Sequence, residues 1–294
     1  MSNPLVSIGM PLCNEEKFLS QALDSLLAQD FQDFEIIICD NASNDRTKQI
    51  IDKYTGMDNR IKYYYNEKNI GGSRNFNKTV SLSSGKYFMW ASGHDLWAKK
   101  YISSCLDVLE KENNVSLAYP LTALINTDNK NMGIMSNRLD TRSLALIPRL
   151  HSIIWGINNG NLVYGLMRKE SMNKTDLFQD VLGMDMIFLL ELSLFGYFAH
   201  IPQVLFYRRE MRPQEQCGEA SQRRIKDTYL KKKNVLALFP YWHLVFKKIT
   251  VIKKVDVNKL KKIGLFISIL FNLIVIYGPF MLKDLKNFSR KILL

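Results

Sequence analysis

The sequence of 294 residues is poor in the residues that mark several common chemistries. Its four cysteines, Cys13, Cys39, Cys105 and Cys217, show no CxxC spacing, which argues against zinc-ribbon and thiol-exchange patterns. Cys13 and Cys39 fall in or beside apolar runs, where a small thiol packs as a hydrophobe. Histidine is as scarce: His151, His200 and His243 stand far apart and read as structural or surface residues. Neither a Gly-x-Ser-x-Gly elbow nor a Ser-His-Asp set is present. The opening Met1-Ser2-Asn3-Pro4 has no basic stretch leading into an apolar one, so no secretory signal is expected and a reduced, cytosolic protein is. Acid is the rarer charge, 28 Asp and Glu against 40 Lys and Arg, and the net +12 suits a phosphate-bearing ligand, a nucleic acid or an anionic membrane surface.

What is present is a full complement of core-forming residues, 47% hydrophobic, enough for one large α/β domain or two small ones. Leu5 to Met10 is an apolar run closed by Pro11, and apolar residues then recur at helical spacing from Glu16 to Gln29. Phe34 to Cys39 is nearly continuous in apolar residues, as a parallel strand covered on both faces should be. A helix over roughly Thr47 to Tyr54, a strand Ile61 to Tyr65, a helix from Gly71-Gly72-Ser73 and a strand Lys86 to Met89 follow. This alternation predicts βαβ units and a parallel sheet.

Three strand ends carry polar loops: Asn14-Glu15-Glu16, Asp40 to Asp45, and Ser92 to Asp95. Each alone reads as turns and caps, since Asn, Asp and Ser are turn formers. On one edge of one sheet they form a ligand site, because open α/β sheets bind ligands beyond the carboxyl ends of their strands. Carboxylates there could bond a base and ribose hydroxyls. His94 and Asp95, the adjacent His-Asp pair after the last of these strands, could hold a divalent cation against a diphosphate, Mn²⁺ suiting imidazole and carboxylate and Mg²⁺ preferring oxygen ligands. The Gly71-Gly72 loop offers backbone N–H donors and Arg74 a forked one.

Taken in order, these motifs resemble the family 2 glycosyltransferases of the GT-A fold. The residues that carry the resemblance are Val6-Ser7-Ile8 with Pro11, Asn14 and Glu15; Glu35 to Ser43; Asn69-Ile70-Gly71 with Arg74-Asn75; and Gly85-Lys86-Tyr87 leading to Asp95-Leu96. It is close over roughly the first 110 residues and weaker to about residue 210. The resemblance implies a Rossmann-like mixed, mainly parallel sheet flanked by helices, and a nucleoside-diphosphate sugar, UDP ahead of GDP or dTDP. Pro11, Glu15 and Asp40 match positions that contact base and ribose, with Asn14 and Ser92 beside them, and Arg74 matches one near the ribose and diphosphate. The family usually places an Asp-x-Asp at the strand end where this chain has Ser92-Gly93-His94-Asp95, so two acidic positions have become Ser92 and His94. A metal at His94 and Asp95, Mn²⁺ or Mg²⁺, is the expectation; a metal-independent site using Lys or Arg is the alternative.

Gly183 to Leu192 is an apolar helix with two carboxylates, and it resembles the family's acceptor-side helix, in which the leading Asp is the general base. Asp185 matches that position; the plainer reading makes it a helix cap and gives Glu191 a surface cation. Asp176 and Asp180 read as solvated loop residues. In the strand Ile201 to Arg209, Arg208 and Arg209 point to opposite faces, so at most one clamps a phosphate directly; Arg208 is the candidate.

The tail changes character at Lys231. Lysine clusters alternate with apolar and aromatic stretches, then Ile263 to Leu282 is almost wholly apolar apart from Asn272 and a break at Gly278-Pro279. Basic and apolar interleaving reads as an anionic membrane surface, lying in the interface in preference to a single span; a helix pair folded on the catalytic domain is the alternative. Long apolar runs between the lysines argue against nucleic acid. The expected organisation is a transferase domain over 1–230, donor half 1–115 and acceptor half 116–230, with a membrane-associating tail over 231–294. The expected function is an inverting transfer to a hydroxyl of a lipid-linked saccharide at the cytoplasmic face of the membrane, in cell-surface polysaccharide synthesis. Transfer to polyprenyl phosphate, or a catalytically silent nucleotide- or glycan-binding scaffold, are the alternatives.

Overall fold

The computed structural model describes residues 3–136, 138–157, 160–210 and 240–278. Cys217, the Lys231 cluster and the stretch 279–282 lie outside them. The chain divides into two compact units, one from Met1–Ser143, Asn161–Gln179 and Phe195–Glu210, the other from Leu144–Gly160, Asp180–Leu194 and Met211–Leu294. In chain order the elements are β1 (Val6–Leu12), α1 (Leu19–Leu27), β2 (Phe34–Asp40), α2 (Thr47–Met57), β3 (Ile61–Tyr65), α3 (Gly72–Ser81), β4 (Tyr87–Trp90), β5 (Leu96–Trp97), α4 (Tyr101–Lys111), β6 (Val115–Ile125), β7 (Asn131–Ile134), α5 (Leu146–Gly156), β8 (Leu166–Arg168), α6 (Lys169–Met172), α7 (Met184–Leu192), β9 (Tyr197–Arg209), α8 (Pro240–Lys253) and α9 (Lys259–Asn272).

All the described strands lie in the first unit, in one sheet ordered β3-β2-β1-β4-β8-β6-β9-β5, with β7 on β6. Its long pairings are parallel, β3 with β2, β2 with β1, β1 with β4, and β6 with β9; β8, β5 and β7 are short antiparallel insertions. This is the α/β arrangement expected, and the near-continuous apolar runs become β1 and β2 with every residue but Pro11 buried.

Two boundaries differ from expectation for local reasons. β1 does not stop at Pro11, because β4 pairs with it only as far as Gly9, opposite Trp90. The N–H that Pro11 lacks therefore faces no strand on that side, and β1 runs on beside β2 to Leu12. Read as a polar turn, Ser92 to Asp95 would lead into a helix near Ala98; the helix begins instead at Tyr101, since Leu96 and Trp97 pair with Tyr207 and Phe206 and keep the chain extended.

The end of the sheet opposite the strand-end loops is tied by one carboxylate. Glu35, buried on β2, accepts from the Ser7 hydroxyl (2.6 Å), the Ser84 N–H (2.9 Å) and hydroxyl (2.8 Å), and the Lys62 ammonium (2.6 Å). Burial alone would raise its pKa, but these donors outweigh it and hold the carboxyl below its ordinary value. Gly85 completes the knot by donating to the Ser7 hydroxyl (2.8 Å). A Cβ at Gly85 would lie 2.7 Å from the Ser7 backbone nitrogen and 2.9 Å from the Val6 carbonyl carbon, atoms that cannot step aside. Gly85→Ala is expected to destabilise the protein by about 1–3 kcal/mol, read as a lower urea midpoint at unchanged m-value.

The second unit is helical throughout its described residues. α7 is apolar on all sides and buried from Ile187 to Leu192, packed on α5 and α8, while α9 packs on α5 and α8. Glu191, fully buried, accepts from the exposed Lys254, the surface cation of the plainer reading. No helix among the described residues is long and apolar enough to cross a membrane.

Candidate active site

The strand order gives the site its position. From β1 the chain winds outward through β2 and β3, then returns to place β4 on the other side of β1. The order reverses between β1 and β4, and a crevice opens beyond the carboxyl ends of strands at such a switch point. The loops that emerge there are Cys13 to Glu16 and Ala91 to Asp95.

The β1 and β2 loops are laced together backbone to side chain. Asn14, in the left-handed region (φ 58°), donates its N–H to the Ser43 hydroxyl (2.9 Å), and its side-chain oxygen accepts from the Asn44 N–H (2.9 Å). Glu15 and Glu16 donate their N–H groups to Thr47 (2.8 Å) and Asp45 (3.1 Å). Asp40 is fully buried: one oxygen accepts from the Ser43 N–H (2.9 Å) and hydroxyl, the other from the Tyr63 phenol (3.1 Å). Its carboxylate thus shapes the loop in which a base would lie.

A second layer escaped the sequence reading. Asn41 accepts from the Ile70 N–H (2.9 Å) and from Asn66 (3.2 Å), and donates to Asn69 (3.0 Å), whose oxygen also receives the Gly71 N–H (2.9 Å). Asn75 ties the same cluster to the Cys39 carbonyl (2.8 Å). These bonds hold the 66–71 loop against β2. Gly71 turns at φ 93°, a conformation open to glycine, and α3 starts with Arg74 exposed in its first turn. The only signal in the sequence was the density of Asn around Asp40 and Gly71.

After β4 the pair expected to act together has two different environments. Asp95 is 1% exposed; one oxygen accepts from the Ser92 hydroxyl (2.6 Å) and the other from the Arg209 N–H (2.8 Å). The Arg209 guanidinium continues the tie, donating to the His94 carbonyl (2.8 Å), the Asn126 carbonyl (2.9 Å) and Gln21 (3.1 Å), with its plane over the Phe18 ring at 4.1 Å. Of the arginine pair, Arg209 is therefore the buried brace. Arg208 alternates to the other face, where its charge reaches the His94 ring. Where the family that the motifs resemble carries an acid, Ser92 supplies a hydroxyl donor to Asp95 instead.

His94 faces Glu15 across the crevice, its Nδ1 3.0 and 3.1 Å from the two carboxylate oxygens. Gly93 permits the approach, since a Cβ there would stand 2.8 Å from Glu15 Cβ and Cγ. Burial works against a charged ring, but the bond to Glu15 and the charges of Glu15 and Asp95 outweigh it, and the imidazole holds its proton above the ordinary histidine range. The folded state then binds the proton more tightly than the unfolded chain. The stability it adds is complete below about pH 6.5 and lost as pH rises through the higher folded value. Glu15→Gln is expected to lower the His94 midpoint, read by NMR titration of the ring; an unchanged midpoint would remove Glu15 as its partner.

For a divalent cation the donor set is narrow. Among the described residues no group of three or more His, Cys, Asp and Glu side chains is placed to hold a metal. Asp95 gives both oxygens to internal donors, and His94 directs Nδ1 at Glu15, which leaves Nε2 to serve as a ligand only when the ring is neutral. Of the expected pair only His94 is left as a side chain that could take a cation, with Asp95 positioning the loop. Pro11 lies half-buried at the end of β1. Asp185 sits half-buried in the first turn of α7, in the second unit, where its oxygen accepts from the Met186 N–H (2.9 Å). It follows Gly183, which is left-handed at φ 67°. Asp176 and Asp180 are exposed.

Comparison with known proteins bears on the fold and the family. S. aureus TarS (residues 1–349), solved with UDP-GlcNAc, superposes at a TM-score of 0.69 with 16% identity, over 92% of this chain and 72–73% of that one. The mannosyltransferase PcManGT of Pyrobaculum calidifontis, solved with GDP-Man and Mn²⁺, superposes at 0.60 with 15% identity, over 97% and 73%. These share the fold. The Escherichia coli enzyme WfgD, a UDP-Glc:alpha-D-GlcNAc-diphosphoundecaprenol beta-1,3-glucosyltransferase, is 30% identical over 128 residues, 44% of this chain and 42% of that protein. The chain spans about half the length of the curated relatives it matches. The family model described as glycosyl transferase family 2 matches residues 7–169, over half of the sequence, and the chain belongs to that family.

Proposed function

We propose that this glycosyltransferase moves a sugar, with inversion, from a nucleoside-diphosphate donor to a hydroxyl of a lipid-linked saccharide, at the cytoplasmic face of a membrane and in the synthesis of a cell-surface polysaccharide. The observation that carries the donor half is the β1/β4 switch point, where the loops after β1, β2 and β4 meet and the loop leading into α3 is bonded to Asn41. UDP is the favoured nucleotide: TarS is solved with UDP-GlcNAc, and WfgD is named for a UDP-sugar and a diphosphoundecaprenol acceptor.

In this reading the base and ribose lie against Pro11, Asn14, Glu15 and the Asp40 loop, and Ser92 and Asp95 set the floor beneath the diphosphate. Arg74, Arg208 and the first N–H groups of α3 face its charge. Asp185 takes the proton of the acceptor hydroxyl as its oxygen bonds to C1, and the C1–O bond to the diphosphate breaks on the opposite face with the electron pair leaving on the nucleotide. A Mn²⁺ or Mg²⁺ ion held by His94 would neutralise charge on the leaving diphosphate.

Titration calorimetry of the full chain with UDP and GDP, each with and without Mn²⁺, tests the donor half. UDP binding that tightens with Mn²⁺ is the expected result; indifference to Mn²⁺ would remove the ion, and preference for GDP would replace the nucleotide. The acceptor half is tested by UDP release on adding a lipid-linked saccharide, with the anomeric configuration of the product read by NMR. Retained configuration would overturn the inverting step, and transfer to polyprenyl phosphate alone would replace the acceptor.

A further inference from the structure

α9 presents its two faces in the reverse of the usual order. Its covered face, Leu265, Ser268, Ile269 and Asn272, includes two polar side chains that are held in place. The Trp155 indole donates to the Ser268 hydroxyl (3.0 Å), which also meets His151 Nδ1 (3.0 Å), and Lys248 donates to Asn272 (3.2 Å). Its solvent face is apolar: Leu260, Ile263, Ile267, Leu270 and Phe271, continued by Ile274 and Val275 in the turn beyond, are 44–78% exposed. The spacing is that of one helix stripe, three and four residues apart. A surface helix normally turns such a stripe inward and its polar residues outward.

Charge says what covers it. α9 holds no acidic residue, and Lys259 and Lys261 are exposed at its start, with Lys253 exposed at the end of α8 and a single exposed acid, Asp256, between the two helices. Beyond the described residues the sequence adds Lys283, Lys286, Arg290 and Lys291. α8 contributes an exposed aromatic pair one turn apart, Trp242 and Phe246. No helix among the described residues is long and apolar enough to cross a bilayer. An apolar stripe flanked by lysines and aromatics has the form of a helix that lies in the interface. We infer that the solvent face of α9 docks on an anionic bilayer, the helix lying in the membrane plane with Ile263, Ile267, Leu270 and Phe271 among the acyl chains and the lysines at the phosphates. The inference rests on the proposed lipid-linked acceptor only for its purpose.

Flotation of the full chain with vesicles tests it. Co-flotation is expected with phosphatidylcholine containing phosphatidylglycerol and little with phosphatidylcholine alone. The double variant Ile267→Glu, Phe271→Glu should lose on the order of tenfold or more in partitioning. Lys259→Gln with Lys261→Gln leaves the stripe intact and should lose severalfold, a loss that added salt imposes on the parent protein. Calorimetric UDP binding should be unchanged in both. Equal flotation of the Ile267/Phe271 variant and its parent would overturn the docking face, as would failure to float combined with a dimer, by ultracentrifugation, that the same variant dissolves; the face would then join two copies. Flotation without transfer to a lipid-linked saccharide keeps the docking face and removes the acceptor, whereas transfer without flotation does the opposite.

Discussion

Asp185→Asn is expected to cut turnover by roughly 10²–10⁴-fold while leaving UDP affinity within a small factor of the parent, the signature of a lost general base. The amide is isosteric with the carboxylate and keeps an oxygen to accept from the Met186 N–H (2.9 Å), so the start of α7 should fold as before. What it loses is the capacity to take a proton. The measurement is UDP release under saturating donor and acceptor, beside calorimetric UDP binding by the same preparation. Unchanged turnover would return Asp185 to a local backbone role and move the base elsewhere. Glu191 does not compete for it, since it is fully buried and paired with Lys254.

Asp95→Ala should produce the second large effect, on stability and donor binding together. The substitution strips the acceptor from two donors in a buried place, the Ser92 hydroxyl and the Arg209 N–H. Each unsatisfied group costs about 1–3 kcal/mol, so a loss of about 2–6 kcal/mol is expected. At roughly 2–4 °C per kcal/mol for a chain of this size, the melting temperature should fall by about 4–24 °C. UDP binding should weaken with it, because the loop carrying His94 is held by the same bonds. Asp95→Asn, which retains one acceptor oxygen, should recover part of both. If UDP binding were lost with no change in melting, the carboxylate would be acting on the ligand or its cation directly.

How much of this could be read from residues alone depended on the range of the interactions. The apolar runs of β1 and β2, the helical spacing of α1 and the polar strand ends are local patterns, and they placed the sheet edge and its loops. β5 has two residues and exists only because β9 pairs with it, so no local pattern could reveal it. The alternation along β9 showed that only one of Arg208 and Arg209 could face the site, but the buried member was decided by Gln21, Phe18 and Asn126, residues remote in the chain. His94 and Asp95 read as a pair because they are adjacent, yet in the bend between β4 and β5 their side chains part, one to Glu15 and the other to the Arg209 N–H. The Asn41 cluster was invisible for a related reason: each Asn reads as a turn former until the loop 66–71 is brought against β2.

The brace formed by Arg209 also sets when the site can be finished. Asp95 is made early in synthesis and Arg209 some 114 residues later, and the bond between them closes only when β9 has entered the sheet beside β6 and β5. Until then a nascent chain has its strand-end loop without a floor, and the buried acid of Asp95 without one of its two donors. Contacts of such separation form late and slowly. A chain interrupted anywhere before residue 209 would hold most of the donor half in sequence and still lack this brace, so assembly of the strand-end loops and completion of the first unit are one event.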